Sequence, residues 1–458
     1  MTTAIDRGLA HADQTRLVEV GRGVLARTGQ LVRQAMTAGE SSVTVVADER
    51  TWAAAGEAVE ASLREEGLRV EPALIFPGTP ALYAAYEHCE TIRERLRATG
   101  SLGVAVGAGT LNDLVKLASG ELEQPYAVVG TAASMDGYTG FGAPMTRDGV
   151  KVTMPCPAPA VVVVDLDVVA AAPAAMVASG YGDLSAKIPG GADWLLSDAV
   201  GWEPLHPLAW ELVQGGVADA LARPAELAAG DPDAYAGLVD GLILSGLSMQ
   251  VYGGTRPASG AEHYFSHLWE LEHLGRDADP PLSHGFKVAI GTLAMCAFYE
   301  RFLAREPTRA DIERAVAGWP SWRVVEDDIR ARLSGSLAEH CVTETRAKYL
   351  EAPALRTRLT RVVGCWADLR PRLERQLVPA RRLQARLRDA GAPVVPADIG
   401  LTVARVRDTF AGAAYYRSRY SVLDLARELG WFDELVDEVF APGGLWTGLD
   451  LDADAAGD

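Results

Sequence analysis

The chain has 458 residues, more than one hydrophobic core ordinarily covers, so two domains are expected. Apolar residues make up 48% and charged residues 23%, which excludes a disordered or fibrous chain and fits a soluble globular one. A formal charge of −18 argues against a nucleic-acid surface, which needs clustered Lys and Arg, but says nothing against a local basic pocket for a small anion.

Residues 1–22 lack a basic start followed by an apolar core, so no secretory signal is read there. No stretch reaches the ~18 uninterrupted apolar residues of a membrane span. The most apolar run, 158–175, is broken by Pro159, Asp165, Asp167 and Pro173. Five cysteines (Cys89, Cys156, Cys296, Cys341, Cys365), odd in number and without a CxxC pair, suit reduced thiols in the cytoplasm. The acidic ending DLDADAAGD reads as a solvated tail.

In chain order, VTVVAD (43–48) predicts a strand and the following segment to residue 66 a helix. ALIFPG (73–78) predicts a second strand and 81–99 a second helix. LGVAVGAG (102–109) is a third strand running into TLNDLVKLASG, a helix ending at Gly120. YAVVGTAAS (126–134) is a fourth strand, and VVVVDLD (161–167), after a Pro-rich stretch at 154–159, is the last strong one. This alternation predicts a parallel, Rossmann-like sheet covered by helices. Beyond Pro173 long helical periods take over, at 238–251, 282–302, 309–317 and much of 349–387. The expected division is an α/β nucleotide-binding domain over 1–172 and an all-α metal- and substrate-binding domain over 173–458.

Six segments carry candidate chemistry. GAGTLND (107–113) lies where a buried strand meets a helix, so its glycines could let a diphosphate approach the helix N-terminus, or could merely permit tight packing. Asp48 ends the first strand, where a carboxylate can bind an adenosine ribose or cap the next helix. TAASMDGYTG (131–140) follows a strand at the same sheet edge. There Thr131 and Ser134 could contact a cofactor and Asp136 a substrate hydroxyl, against the plain reading of an Asp-Gly turn. GYGDLSAK sets Asp183 and Lys187 one helical turn apart, usually a surface salt bridge. SGAEHYFSHLWELEHL puts His263 and His267 on one helix face, and SHGFK adds His284. Four of the eight histidines fall between His263 and His284, the fourth being His273. Two or three imidazoles with one carboxylate suit a divalent metal, the alternative being satisfied core histidines.

Taken together, VADERT, GAGTLNDLVK, TAASMDGYT, DGVKVT, SGYGDLSAK, SGAEHYFSHLW and SHGFKVAIGT resemble the glycerol-1-phosphate dehydrogenases. That family lies within the iron-containing alcohol dehydrogenase and dehydroquinate synthase-like superfamily. RSRYSVLDLARELGW (417–431) continues the bacterial-type pattern. The resemblance implies that Asp48 binds the adenosine ribose of NAD(H) or NADP(H). It implies that Gly107, Ala108, Gly109, Thr110 and Leu111 hold the diphosphate. Thr131, Ala132, Ala133 and Ser134 would line the nicotinamide side. Asp183, His263 and His284 would be metal ligands, Asp136, Asp183 and His267 would meet the substrate, and Asp183 and His267 would be catalytic. Iron enzymes of the superfamily often have a fourth ligand, a His, where this chain has Lys187, so zinc or nickel is expected ahead of iron.

The implied reaction interconverts dihydroxyacetone phosphate and sn-glycerol 1-phosphate, a step of phospholipid metabolism, in a homo-oligomer. Its alternatives are a dehydroquinate synthase-type cyclase, a dehydrogenase of another polyol or ketone, and an inactive binding protein on the same fold. Such cyclases generally carry Glu at the position of Asp183. Lys151, or Arg417 and Arg419, are candidates to hold a phosphate. Two departures from the family pattern stand out. Gly140 replaces a cofactor-contacting Ser, for which Thr139 is the possible substitute, and Gly130 stands where Pro is common.

Overall fold

The structure, a computed structural model, describes residues 3–36, 42–147 and 150–447; the acidic ending and the side chain of Lys151 lie outside the described residues. Nine strands occur in it: β1 (Leu17–Gly21), β2 (Ser42–Asp48), β3 (Arg69–Val70), β4 (Leu74–Phe76), β5 (Leu102–Gly107), β6 (Ala127–Gly130), β7 (Ala143–Arg147), β8 (Val150–Met154) and β9 (Val161–Asp165). Seven of them form one parallel sheet in the order β1-β9-β6-β5-β2-β3, with β4 also on β2. Strands β2, β5, β6 and β9 read as runs of Val and Ala because both of their faces are covered, and they are buried along almost their whole length.

The order reverses at β2. The chain first moves outward to β3 and β4, then crosses back to place β5 on the other side. The crevice beyond the carboxyl ends of β2 and β5 is therefore the topological switch point, where open α/β sheets bind ligands.

Four features depart from the sequence reading. The expected helix over 81–99 begins only at Tyr86. Ala85 is extended and bridges Thr146, and the Thr146 N–H donates to the Ala84 carbonyl, so pairing with the β7–β8 hairpin captures the segment that would have been its first turn. The hairpin itself and the edge strand β1 were not foreseen; both carry charged or polar residues in mixed, half-exposed patterns that hide a strand period. The fourth predicted strand is also shorter, ending at Gly130, after which 131–135 form an irregular loop.

The regular elements that follow Asp165 are helical. One of them, Pro232–Tyr252, is long and apolar enough to cross a membrane by composition. Here it is a core helix: most of its residues are buried, and Leu247 packs on Gly8 of the Ala4–Leu9 helix. All five cysteines are free.

Candidate functional site

The Ala174–Ser185 helix carries Asp183, the Ala261–Leu271 helix carries His263 and His267, and His284 opens the His284–Leu303 helix behind its cap Ser283. These helices meet almost backbone to backbone. A Cβ on Gly180 would lie 1.9 Å from the Ala133 carbonyl oxygen, and one on Gly285 would lie 2.0 Å from that of Ser179. Glycine at both positions lets the Ala174–Ser185 and His284–Leu303 helices and the loop after β6 meet, and Gly291, 2.4 Å by the same measure from the Glu262 carbonyl oxygen, admits the Ala261–Leu271 helix.

At that convergence one donor atom each from Asp183, His263 and His284 lie within 4.8 Å of one another. Asp183 Oδ1 is 3.5 Å from His263 Nε2. Each imidazole is turned by a carboxylate behind it: His263 Nδ1 meets Glu262 Oε1 at 2.9 Å, and His284 Nδ1 meets Glu270 Oε1 at 2.8 Å. With Nδ1 so engaged, Nε2 of both rings is left as the free donor, the arrangement that prepares histidines for a metal. Two imidazoles and one carboxylate fit a divalent ion and leave a coordination position open. Asp183 and His263 are buried, while the His284 side chain is 34% exposed, so the cluster opens on one side.

The electrostatics favour an ionised Asp183. Burial works against its charge, but Lys187, His263 and His284 hold its carboxyl well below the usual carboxylate range. Burial likewise opposes charge on His263, yet Asp183 and Glu262 outweigh it and raise its pKa to about 9. The Asp183–Lys187 pair is not on the surface, as such spacing usually is; both side chains are at most 1% exposed. Lys187 Nζ lies 2.8 Å from Asp136 Oδ2 and 3.4 Å from Asp183 Oδ1.

Asp136 is therefore already engaged, since its Oδ2 also accepts from Ser245 Oγ at 2.7 Å. Its backbone N–H donates to Asp183 Oδ2 at 2.9 Å, which ties the loop after β6 to the triad. The His267 ring stands 6.0 Å from those of both His263 and His284 and 5.8 Å from Tyr416. Burial drives its pKa down to about 4, against the pull of Glu270, so it is neutral at pH 7. His273, in the turn after the Ala261–Leu271 helix, takes a left-handed backbone conformation, and its N–H donates to the Glu270 carbonyl at 3.0 Å.

The residues read as cofactor-contacting gather along the carboxyl edge of the sheet. The Gly109–Glu121 helix starts from Ala108, which has no side chain able to cap it, so its first-turn N–H groups face the switch-point crevice unclaimed by a side chain. Thr110 is half-exposed there, and Leu111 is buried beneath Gly107. Thr131 N–H donates to the Gly107 carbonyl at 3.2 Å, joining the two loops. Ala132 and Ala133 are buried, and the Ser134 carbonyl accepts from Ser179 Oγ at 3.0 Å. Asp48 caps the next helix, its Oδ1 accepting the Thr51 N–H at 2.8 Å, so the capping reading holds whether or not a ribose also binds.

An iron-containing alcohol dehydrogenase family model matches residues 19–173. Glycerol-1-phosphate dehydrogenase [NAD(P)+] of Halalkalibacterium halodurans is 37% identical over 260 residues, covering 56% of this chain and 65% of that protein. The protein of the same name from Bacillus subtilis is 32% identical over 298 residues, covering 63% of this chain and 75% of its own length. The chain belongs to the glycerol-1-phosphate dehydrogenase family. It spans 65% and 64% of the lengths of the Halalkalibacterium halodurans and Geobacillus thermodenitrificans members. Solved structures share the fold at low identity. A probable glycerol dehydrogenase from Sinorhizobium meliloti aligns at TM-score 0.58 and 18% identity over 92% of this chain and 96% of that one. Glycerol dehydrogenase from Schizosaccharomyces pombe aligns at TM-score 0.58 and 17% identity over 93% and 92%.

Thr139, the possible substitute for the family's Ser at Gly140, faces the protein interior. It is wholly buried and donates to the Ile243 carbonyl at 2.7 Å. Sequence reading gave no role to Glu262, Glu270 or Lys116. The first two sit inside the histidine segment, where an acidic residue beside each imidazole was the available signal. Lys116 had none: it is a helix residue 1% exposed, and its Nζ reaches Asp113 and the carbonyls of Gly137 and Gly142, bracing the loop that carries Asp136.

Proposed function

We propose that this chain is a metal-dependent NAD(P)H oxidoreductase that interconverts dihydroxyacetone phosphate and sn-glycerol 1-phosphate. The observation that carries the reading is the convergence of Asp183, His263 and His284 beside the sheet-edge loops, in the family whose named members carry that activity. In this reading residues 1–172 bind the nucleotide and 173–458 hold the metal and substrate.

A divalent ion on the triad would polarise the ketone oxygen, and a nicotinamide bound along the Gly107–Leu111 and Thr131–Ser134 loops would supply hydride. Asp48 would take the adenosine ribose, and the uncapped N-terminus of the Gly109–Glu121 helix the diphosphate. Asp183, held ionised by Lys187, supplies the anionic ligand, and Glu262 and Glu270 fix the rings of His263 and His284. Neutral His267, beside His284, can pass a proton through its imidazole to the product oxygen. Asp136, anchored by Lys187 and Ser245, presents a rigid acceptor at the mouth for a substrate hydroxyl. The ammonium of Lys187 cannot ligate, so the site has three protein ligands and suits zinc or nickel ahead of iron.

The test is NADH consumption by the metal-loaded protein with dihydroxyacetone phosphate. Stoichiometric, metal-dependent loss of NADH is expected, whereas turnover without net loss would mean a cyclase. Loss with another ketone alone would keep the reaction class and remove this substrate.

A further inference from the structure

Arg256 and Arg419 meet around the 255–259 segment, and Arg417 stands two residues from Arg419, over the Tyr416 ring. Arg256 is 1% exposed; its Nη2 donates to the carbonyls of Asp193 at 2.8 Å and Tyr420 at 2.9 Å, and its Nη1 has no hydrogen-bond partner. Arg419 is half-buried and donates to Ser259 Oγ at 3.0 Å and to Thr255 Oγ1, both neutral oxygens. Arg417, also half-buried, lies 5.5 Å from the Tyr416 ring centroid. Among the described residues neither Arg417 nor Arg419 has a carboxylate within ion-pair distance, and Arg256 has only Glu203, at 3.4 Å. Glu344, whose charge Arg417 helps to hold, accepts the Ser418 N–H at 2.7 Å.

A cluster of three guanidinium groups with, among the described residues, one carboxylate at ion-pair distance is anomalous in a chain with 61 acidic and 43 basic residues. Elsewhere its arginines are commonly paired, as Arg358 is with Glu428 at 2.6 Å. Burial disfavours the charge on Arg419, and Arg256 and Arg417 add repulsion that Tyr264 and Glu203 offset only in part. The buried hydroxyl of Tyr264, whose ring is 5.9 Å from that of Tyr416, also lacks a partner. An anion with several acceptor oxygens would satisfy these groups together, and guanidinium forks match a phosphate geometrically. The position fits a substrate. Tyr416 lies between Arg417 and His267 in the chain of ring contacts, so one aromatic ring separates the cluster from His267, which in turn neighbours the histidines of the triad.

We propose that Arg417 and Arg419, backed by Arg256 and the hydroxyls of Thr255, Ser259 and Tyr264, form the seat for the phosphate of a phosphorylated ketone. This rests on the reductase reading above, and names the part of that site which would distinguish a triose phosphate from the bare triose.

The experiment compares metal-loaded wild type with Arg417→Gln, Arg417→Lys and Arg419→Gln. One readout is the ratio of kcat/KM for dihydroxyacetone phosphate to that for dihydroxyacetone. The other is calorimetric binding of inorganic phosphate, which needs no turnover. The ratio should fall at least about tenfold in both Gln variants and less in Arg417→Lys, with phosphate affinity falling in parallel. A ratio that holds while both ketones lose activity equally would overturn the seat. So would phosphate binding that is unaltered in the Gln variants together with an intact ratio. If wild type reduces neither ketone, the proposed function fails, and phosphate binding alone decides the seat: weakened binding in the Gln variants keeps it and unweakened binding removes it. Arg417, the more peripheral of the pair, keeps the test open if Arg419→Gln does not fold.

Discussion

Lys187 directs its ammonium at Asp183 Oδ1 from 3.4 Å, with both side chains sealed from solvent. Ordinarily an ion pair one helical turn apart contributes a few tenths of a kcal/mol on a wet surface. Here the pair is buried and Asp136 shares it, so removing the cation strands two carboxylates. Lys187→Met should therefore lower stability by about 3 kcal/mol or more, read from urea unfolding of the metal-free protein. A loss below about 1 kcal/mol would show that one carboxylate is protonated in the native state. Lys187→His, which offers a fourth nitrogen, should raise the iron retained relative to zinc by elemental analysis.

Metal retention should follow the orienting carboxylates as well as the ligands. His284→Ala is expected to leave well under half a metal per chain where wild type holds about one. Glu270→Gln keeps a hydrogen-bond acceptor of the same shape without the charge, and should weaken metal affinity about 10–100-fold in a chelator competition. Equal retention in wild type and His284→Ala would remove His284 from the site.

At the cofactor edge, Asp48→Ala should cost about 1 kcal/mol of stability through loss of the Thr51 cap. If Asp48 also binds a ribose, nicotinamide fluorescence titration of the same variant should show NADH affinity falling relative to NADPH. An unchanged ratio with the stability loss intact would leave Asp48 as a cap alone.

Stability should also carry a signature of Glu428, which is buried against Arg358 and Tyr420. Burial pushes its carboxyl up to about 7 against the pull of Arg358 and Tyr420. A carboxyl with a raised folded pKa holds more protons in the native than in the unfolded chain, so its contribution is fully present below about 4.5 and lost as pH rises through 7. Between pH 5 and 8 the wild type should lose on the order of 3 kcal/mol from this group, and Glu428→Gln should flatten that part of the profile. Parallel profiles for the two proteins would place the proton elsewhere.

The parts legible in the sequence were those with a strong period or a dense local motif. The Val-rich strands β2, β5, β6 and β9 announce themselves because burial on both faces leaves few polar residues inside them. His263, His267 and His284 stand out because four histidines crowd into one short segment. Strand β1 escaped because Glu19 breaks its apolar run, and the start of the second helix was misplaced because Ala84 and Ala85 pair with a hairpin far along the chain. Lys116 and Lys187 show the deeper limit. A lysine in a helix reads as solvated, and only the folded chain reveals that both ammonium groups are buried against carboxylates and carbonyls.

The single N–H···O contact from Asp136 to Asp183 Oδ2 has a thermodynamic consequence. One carboxylate is shared between the loop at the nucleotide edge and the cluster on the helices, so the pose that suits one is also the pose offered to the other. Occupancy at either place then shifts the free energy of the other by the same amount, because binding linkage is reciprocal. Metal loading should sharpen nucleotide affinity by a certain factor, and nucleotide should sharpen metal affinity by that identical factor. Order of addition would change the route to the ternary state, not its stability.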